Sequence, residues 1–218
     1  MSNTELIAIV VFVAVAAFGI IDAIRTPILV KRFYRDKKFT EPGRQLLEEV
    51  SDSGLLTDMY TDCFYTGSEQ GLQVRQCKAW STKRRQFTLS KKSRKRNQTA
   101  WSITVIDAKS LPVTFQALPT IVPEAIGYIG DGRSIEFPGD DKLSNRYHVS
   151  TDNAALVRAA LVDELRDFLL QTEVVALEVT QDLIVLKRKW AAHLVLERLQ
   201  NEIDFVVKLH NKLAGAHS

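Results

Sequence analysis

The sequence predicts an α+β protein in which an antiparallel sheet packs against helices, behind an N-terminal transmembrane helix. Three observations favour this fold class. The chain of 218 residues begins with a long apolar run at residues 6–24, continues with segments in which apolar and polar residues alternate, and ends with helical periodicity. Strands followed by helices along a chain are typical of an antiparallel sheet covered by helices.

The apolar run Leu6–Ile24 predicts a single membrane-spanning helix. Eighteen of its nineteen residues are apolar or glycine, and Asp22 is its only charged residue. As a helix it would be about 28 Å long, close to the ~30 Å hydrocarbon core of a bilayer. Met1–Glu5 carries no Lys or Arg, which disfavours a cleavable signal peptide.

Basic residues follow the apolar run and predict its orientation. They are Arg25, Lys31, Arg32, Arg35, Lys37 and Lys38. Because such a flank is retained on the cytoplasmic side, we expect the N-terminus outside and the rest of the chain in the cytoplasm, anchored in the inner membrane. The predicted organisation is therefore an anchor at 1–25, a basic juxtamembrane linker at 26–40 and one cytoplasmic α+β domain at 41–218.

The first part of the domain predicts mostly strands. Residues 45–50 are interpreted as a short helix, and Gly67 and Gly71 are expected to bracket a turn. Alternation predicts a strand over residues 72–80, and β-branched and aromatic residues predict further strands over residues 100–106 and 113–118.

The second part predicts hairpins and helices. Strands at residues 133–137 and 146–149 are expected to flank an acidic turn, and strands at 174–179 and 183–186 to flank a turn at 180–182. A helix at residues 154–170 has N-cap candidates just before it. A last helix from about residue 190 to 213 is expected to face the core through apolar positions spaced by three and four: Leu196, Leu199, Ile203, Val206 and Leu213, with His210 in the remaining position.

A basic segment is the one feature that suggests a ligand. Eight cations occupy fourteen residues although the net charge of the chain is only +3: Lys83, Arg84, Arg85, Lys91, Lys92, Arg94, Lys95 and Arg96. Three interpretations remain open: a solvated loop, a contact with anionic lipid, and a nucleic-acid contact. Nucleic acid is disfavoured because only Phe87 lies within the segment for base stacking. Anionic lipid gains from the tether, since each cation near such a surface contributes about 1 kcal/mol.

No motif predicts an enzyme, a metal or a cofactor. The pair Cys63 and Cys77 forms neither a zinc motif nor a redox motif, and residues 127–132 match no phosphate-binding loop. We therefore expect a binding or scaffolding domain, with membrane and an unidentified protein as its partners. The alternative is a hydrolase-type enzyme with a site near Asp140, Asp141 and His148.

The spacing of turn and core residues in the second half resembles a known family. The residues that carry the resemblance are Pro112, Phe115, Leu118, Pro119, Gly130, Ile135, Phe137, Asp140, Leu143, Ser144, Tyr147, Val149, Leu156, Val157, Leu165, Leu169, Leu177, Glu178, Leu183, Ile184 and Val185. They resemble an uncharacterised bacterial family of membrane-anchored proteins, in which a domain of unknown function follows one or two transmembrane helices. The resemblance covers residues 72–188 and implies a fold and a location, without catalytic residues. The sequence differs from the family in its single anchor and in lacking a glycine at 180–182.

Overall fold

An antiparallel sheet organises the molecule, and nine of its strands lie in the described residues. The computed structural model describes residues 7, 25–41, 45–47, 53–56, 59–81, 100–120, 133–171, 175–190 and 195–215. Its strands are β1 Gln45–Leu46, β2 Met59–Glu69, β3 Leu72–Ser81, β4 Ala100–Asp107, β5 Phe115–Pro119, β6 Arg133–Ile135, β7 Tyr147–Thr151, β8 Val175–Val179 and β9 Leu183–Lys189. They lie in the order β1-β2-β3-β4-β9-β8-β5-β7-β6, and each described pair is antiparallel. The α+β class with an antiparallel sheet is confirmed.

Within the described residues, five helices and one 3-10 turn accompany the sheet. The helices are α1 at residues 25–36, α2 Asp141–Arg146, α3 Ala154–Ala160, α4 Asp163–Gln171 and α5 Val195–Gly215, and the 3-10 turn is Gly54–Leu56. The long C-terminal helix is confirmed as α5, which contacts β4, β9, α3 and α4. Among the residues that the structure describes, no helix is long and apolar enough to cross a bilayer. The predicted anchor at 6–24 lies outside those residues except for Ile7, so it stays a prediction.

The sheet has a core on each face because strand side chains alternate between the two faces. On β9, Ile184 and Leu186 belong to the larger core, which includes buried residues of α3, α4 and α5. We call this side the helical face. Val185, between them in sequence, belongs to the smaller core on the opposite face, which Leu47 and Leu55 help to cover.

The two turns predicted at 180–182 and between Gly67 and Gly71 had different outcomes. The turn at 180–182 is confirmed, because β8 and β9 pair on either side of it. For the second turn, the prediction that it begins at Gly67 is wrong. Gly67 lies inside β2, and a Cβ there would come within 2.0 Å of the Phe39 ring, so glycine permits this aromatic contact. The turn itself is Gln70–Gly71, both with positive φ.

Three predictions of secondary structure are corrected by the structure. Gln45 and Leu46 are not helical, because their backbones pair with Thr61 and Tyr60 at the edge of β2. The short helix α2 follows the acidic turn, so the strand predicted from residue 146 begins instead at Tyr147. The helix predicted over 154–170 is broken between α3 and α4, where Asp163 has a φ of 49°. The break lets both short helices bury apolar residues in the core on the helical face, at Val157 and Ala160 in α3 and at Leu165 and Leu169 in α4.

Candidate functional site

The predicted basic segment at residues 83–96 lies outside the described residues. The structure does place the two points where the chain leaves and re-enters the sheet. β3 ends at Ser81 and β4 begins at Ala100, and Ala100 is the cross-strand partner of Trp80. The eight cations are therefore attached, by sequence, to one end of two adjacent strands. We call this end of the sheet the loop end.

The three residues of the hydrolase alternative do not converge. Asp140 caps α2 by accepting from the Leu143 amide at 3.1 Å, and it also pairs with Arg166 of α4 on the helical face. Tyr147 of β7 is buried in the core on that face, so His148, the next residue of the strand, points to the other side and is exposed. Asp141 is exposed at the start of α2. Asp140 and His148 are therefore separated by the sheet.

The electrostatics of Asp140 also disfavour a role as a catalytic acid. The hydrogen bond from Arg166 holds the pKa of Asp140 below its usual value, and the amide of Leu143 acts in the same direction. A general acid needs a pKa raised towards the working pH. Asp140 instead joins α2 to α4 through its hydrogen bond with the Leu143 amide and its ion pair with Arg166.

The juxtamembrane helix α1 is packed into the domain. Tyr34 is 2% exposed, and its ring stacks on Tyr65 of β2 at 3.8 Å between centroids. Lys37 donates to Glu69 at 2.8 Å, and Phe39 lies against Gly67. The segment interpreted as a linker thus contributes two buried aromatic residues to the core.

A buried polar network continues from α1 to α5. It consists of Tyr34, Gln76, Ser102, Thr104, Arg188 and Glu202, all buried. The Tyr34 hydroxyl donates to Gln76 Oε1 at 2.8 Å, and Gln76 Nε2 donates to Thr104 Oγ1 at 2.8 Å and to Glu202 Oε2 at 3.3 Å. Ser102 donates to the same carboxylate oxygen at 2.6 Å, and Arg188 Nη1 lies 3.5 Å from Glu202 Oε1. We call this set the buried network.

Glu202 is the centre of the buried network. Burial raises its pKa, because the charged carboxylate is costly to desolvate, while Ser102 and Arg188 partly counteract this increase. A buried network of this kind fixes the geometry of the elements it joins, since any displacement leaves buried polar groups without hydrogen bonds. Here it joins α1, strands β3, β4 and β9, and α5.

Sequence reasoning missed Glu202, although a signal was present. Positions 199, 202, 206, 209 and 213 of α5 are spaced by three and four and are all buried. Glu202 occupies one of these core positions. A single acid in an apolar stripe indicates a buried partner, which Arg188 supplies from β9.

The opposite face of the sheet holds two further buried ionisable residues, Lys187 and Glu178, which make separate contacts. Lys187 of β9 donates to the Leu55 carbonyl at 2.9 Å, and its ammonium lies 5.2 Å from the centroid of the Trp101 ring. Burial lowers the pKa of Lys187 to about 8. Glu178 of β8 accepts from Gln116 at 2.9 Å and from Ser53. Both residues therefore hold residues 53–56 against the sheet.

Aromatic residues and a lysine cluster at the loop end of the sheet. Trp80 stacks on Tyr60 at 5.8 Å between centroids. The ammonium of Lys78 lies 5.3 Å from the ring of Trp80 and 4.9 Å from that of Trp190. All four side chains are half-buried. We call these residues the aromatic–lysine cluster.

Residues suited to metal binding do not gather in the part of the chain that the structure describes. No group of three or more His, Cys, Asp or Glu side chains there could hold an ion. The ionisable residues that are buried, Glu178, Lys187, Arg188 and Glu202, instead make hydrogen bonds within the domain.

Removing one hydroxyl should test how firmly α1 is attached. Tyr34→Phe keeps the stacked ring but leaves Gln76 Oε1 without this donor, so we expect it to cost about 1 kcal/mol of the free energy of unfolding. Chemical unfolding of the protein in detergent micelles measures this cost. Arg35→Gln, at an exposed neighbouring position, serves as the control and should leave stability unchanged.

Comparison with known proteins shows the fold alone. No family model matches the sequence, and no curated protein matches it. The crystal structure of the mycobacterial trehalose monomycolate transport factor A, TtfA, is similar, with a TM-score of 0.57 and 11% sequence identity. The match covers 84% of this chain and 91% of that one. The two proteins therefore share an architecture over most of their lengths.

Proposed function

We propose that this chain is a membrane-anchored accessory factor, without catalytic activity, that presents a cytoplasmic α+β domain to a partner in a membrane transport system. Residues 6–24 span the inner membrane once in this proposal, with the N-terminus outside. The domain binds a protein partner and contacts anionic lipid. The polar chemistry of the domain serves its own architecture, as Asp140 illustrates.

The observation that carries the proposal is the attachment of α1 to the core. The described part of α1 starts at Arg25, the first residue after the predicted anchor, and Tyr34 connects α1 through Gln76 to Glu202 on α5. An anchor that continues into a packed helix holds its domain in a fixed orientation, whereas a flexible linker would let the domain rotate. A fixed orientation suits a domain that docks on a neighbour in the same membrane.

Charge and fold likeness support the proposal. The exposed faces of α1 carry Lys31, Arg32 and Arg35, which suits a position beside an anionic cytoplasmic leaflet. TtfA is a transport factor, and the likeness covers nearly its whole length. The proposed transport role follows from this analogy between folds.

A topology experiment tests the anchor. A reporter fused after Ser218 should show that the C-terminus lies in the cytoplasm. The chain should also stay with membranes after alkaline extraction, because about 19 apolar residues suffice to span the bilayer. As a control, Ala14→Arg and Ala16→Asp in one chain should weaken membrane retention, since charges near the bilayer centre are costly. Reporter activity outside the cytoplasm, or release of the chain by alkali, would contradict the proposal.

A further inference from the structure

We infer that the loop end of the sheet faces the membrane and that the aromatic–lysine cluster inserts into the interface of an anionic leaflet. This inference rests on the proposed membrane anchor and specifies which surface of the domain meets the lipid. The surface consists of Tyr60, Lys78, Trp80 and Trp190. Three observations carry it: the chemistry of the cluster, the direction of α1 and the exposed cations that α1 carries.

The chemistry of the cluster fits a membrane interface. Tryptophan and tyrosine are enriched at the level of lipid headgroups, because their rings are apolar and their N–H or O–H groups form hydrogen bonds with headgroups and water. The Lys78 ammonium lies within 5.3 Å of the centroids of both indoles, which adds a cation to the cluster. Burial lowers the pKa of Lys78. The rings are half-buried, so each is supported by the domain and still offers part of its surface to a ligand.

The direction of α1 brings its N-terminal end towards the same end of the sheet. Tyr34 contacts Tyr65 and Gln76, which are paired in the middle of β2 and β3. Lys37, one turn later, pairs with Glu69 beside the β2–β3 turn. The helix thus approaches that turn as it proceeds, and its beginning lies in the direction of the loop end.

Distances along the elements agree with this direction. Arg25 precedes Tyr34 by nine residues, about 14 Å along a straight helix. Trp80 follows Gln76 by four residues, about 13 Å along a strand. The two lengths are similar, which agrees with a position of Arg25 towards the loop end. Ile28, one turn after Arg25, is 62% exposed, which suits a helix end close to lipid.

Exposed cations of α1 give this side of the domain its charge: Arg25, Lys31, Arg32 and Arg35. The amide of Trp190 donates to the Ala100 carbonyl at 2.9 Å, so the cluster lies beside the residue at which β4 begins. By sequence, the basic segment joins the sheet there and at Ser81. Cations attract an anionic leaflet over about a Debye length, and aromatic rings then contribute contact energy once the surfaces meet. Charge complementarity thus selects anionic lipid as the ligand of this surface.

Tryptophan quenching tests the inference, because the chain has three tryptophans in distinct environments. The full chain is placed in vesicles of phosphatidylglycerol and phosphatidylcholine that contain headgroup spin-labelled lipid. Three variants each keep one tryptophan and replace the others by phenylalanine. Trp101 is the matched control, since it is 5% exposed and belongs to the core on the opposite face. Circular dichroism of each variant verifies its fold.

We expect the quenching of Trp80 and Trp190 to exceed that of Trp101 several-fold, and to fall in vesicles of phosphatidylcholine alone. Quenching of all three tryptophans at the level of Trp101 would overturn the inference. Equal quenching in neutral and anionic vesicles would overturn its anionic component.

Membrane retention separates this result from the proposed function. A chain that resists alkaline extraction while Trp80 and Trp190 remain unquenched would retain the anchor and refute only the inferred surface. A chain released by alkali would refute the anchor, and the inferred orientation with it.

Discussion

Glu202→Ala is expected to destabilise the protein by about 3–5 kcal/mol, the usual cost of removing one partner of a buried ion pair. Glu202 is 2% exposed and faces Arg188, which is 6% exposed. The substitution removes the acceptor of Ser102 and Thr104 as well as the negative charge beside Arg188. Chemical unfolding in detergent micelles measures the loss.

A control on the same helix separates burial from helix propensity. Asn201 precedes Glu202 and is exposed, so Asn201→Ala should change stability by no more than about 0.5 kcal/mol. If Glu202→Ala were as mild as this control, the buried network would not contribute to stability in the way that its geometry indicates.

The pH dependence of the buried network has a definite sign. Because burial raises the pKa of Glu202 in the folded state, the folded protein holds the proton to a higher pH than the unfolded chain does. The stability that this proton contributes is fully present below the ordinary pKa of glutamate and is lost as pH rises through the raised value. Glu202→Gln cannot ionise and should remove this part of the pH profile.

Stability should increase as pH rises from about 8 to about 10.5, because of Lys187. Its pKa is lowered from 10.5 to about 8 by burial, so between these values the unfolded chain binds a proton that the folded protein does not. This difference in pKa corresponds to about 3 kcal/mol of the free energy of unfolding. That stability is present above pH 10.5 and is lost as pH falls through about 8. Lys187→Met keeps the length of the side chain and should abolish the increase.

Lys189 offers a matched control for this experiment. It lies two residues further along β9 and is exposed, so Lys189→Met should leave the pH profile as it is in the unsubstituted protein. Unfolding by urea at several pH values between 7 and 11 gives the comparison. A profile for Lys187→Met that still rises over this range would show that another group is responsible.

Local patterns in the sequence were sufficient to predict the fold class and most of the strands. β3 and β4 were predicted because their residues alternate or are β-branched, and the turn at 180–182 because polar residues separate two apolar runs. These signals are local, because they depend only on residues that are neighbours in the sequence. The predicted anchor at 6–24 and the basic segment at 83–96 have equally local signals in composition and charge, and both lie outside the described residues.

The positions of the polar residues depend on long-range contacts. Asp140, Asp141 and His148 are close along the chain and suggested a cluster. Successive side chains of a strand point to opposite faces, however, so Tyr147 faces the helices and His148 lies across the sheet from Asp140. Conversely, Tyr34, Gln76 and Glu202 are far apart in sequence and meet in one buried network. Burial and long-range pairing determine such contacts, and neither is encoded in local spacing. For the same physical reason, Gln45 and Leu46 became a strand: an available edge of β2 outweighed their helical pattern.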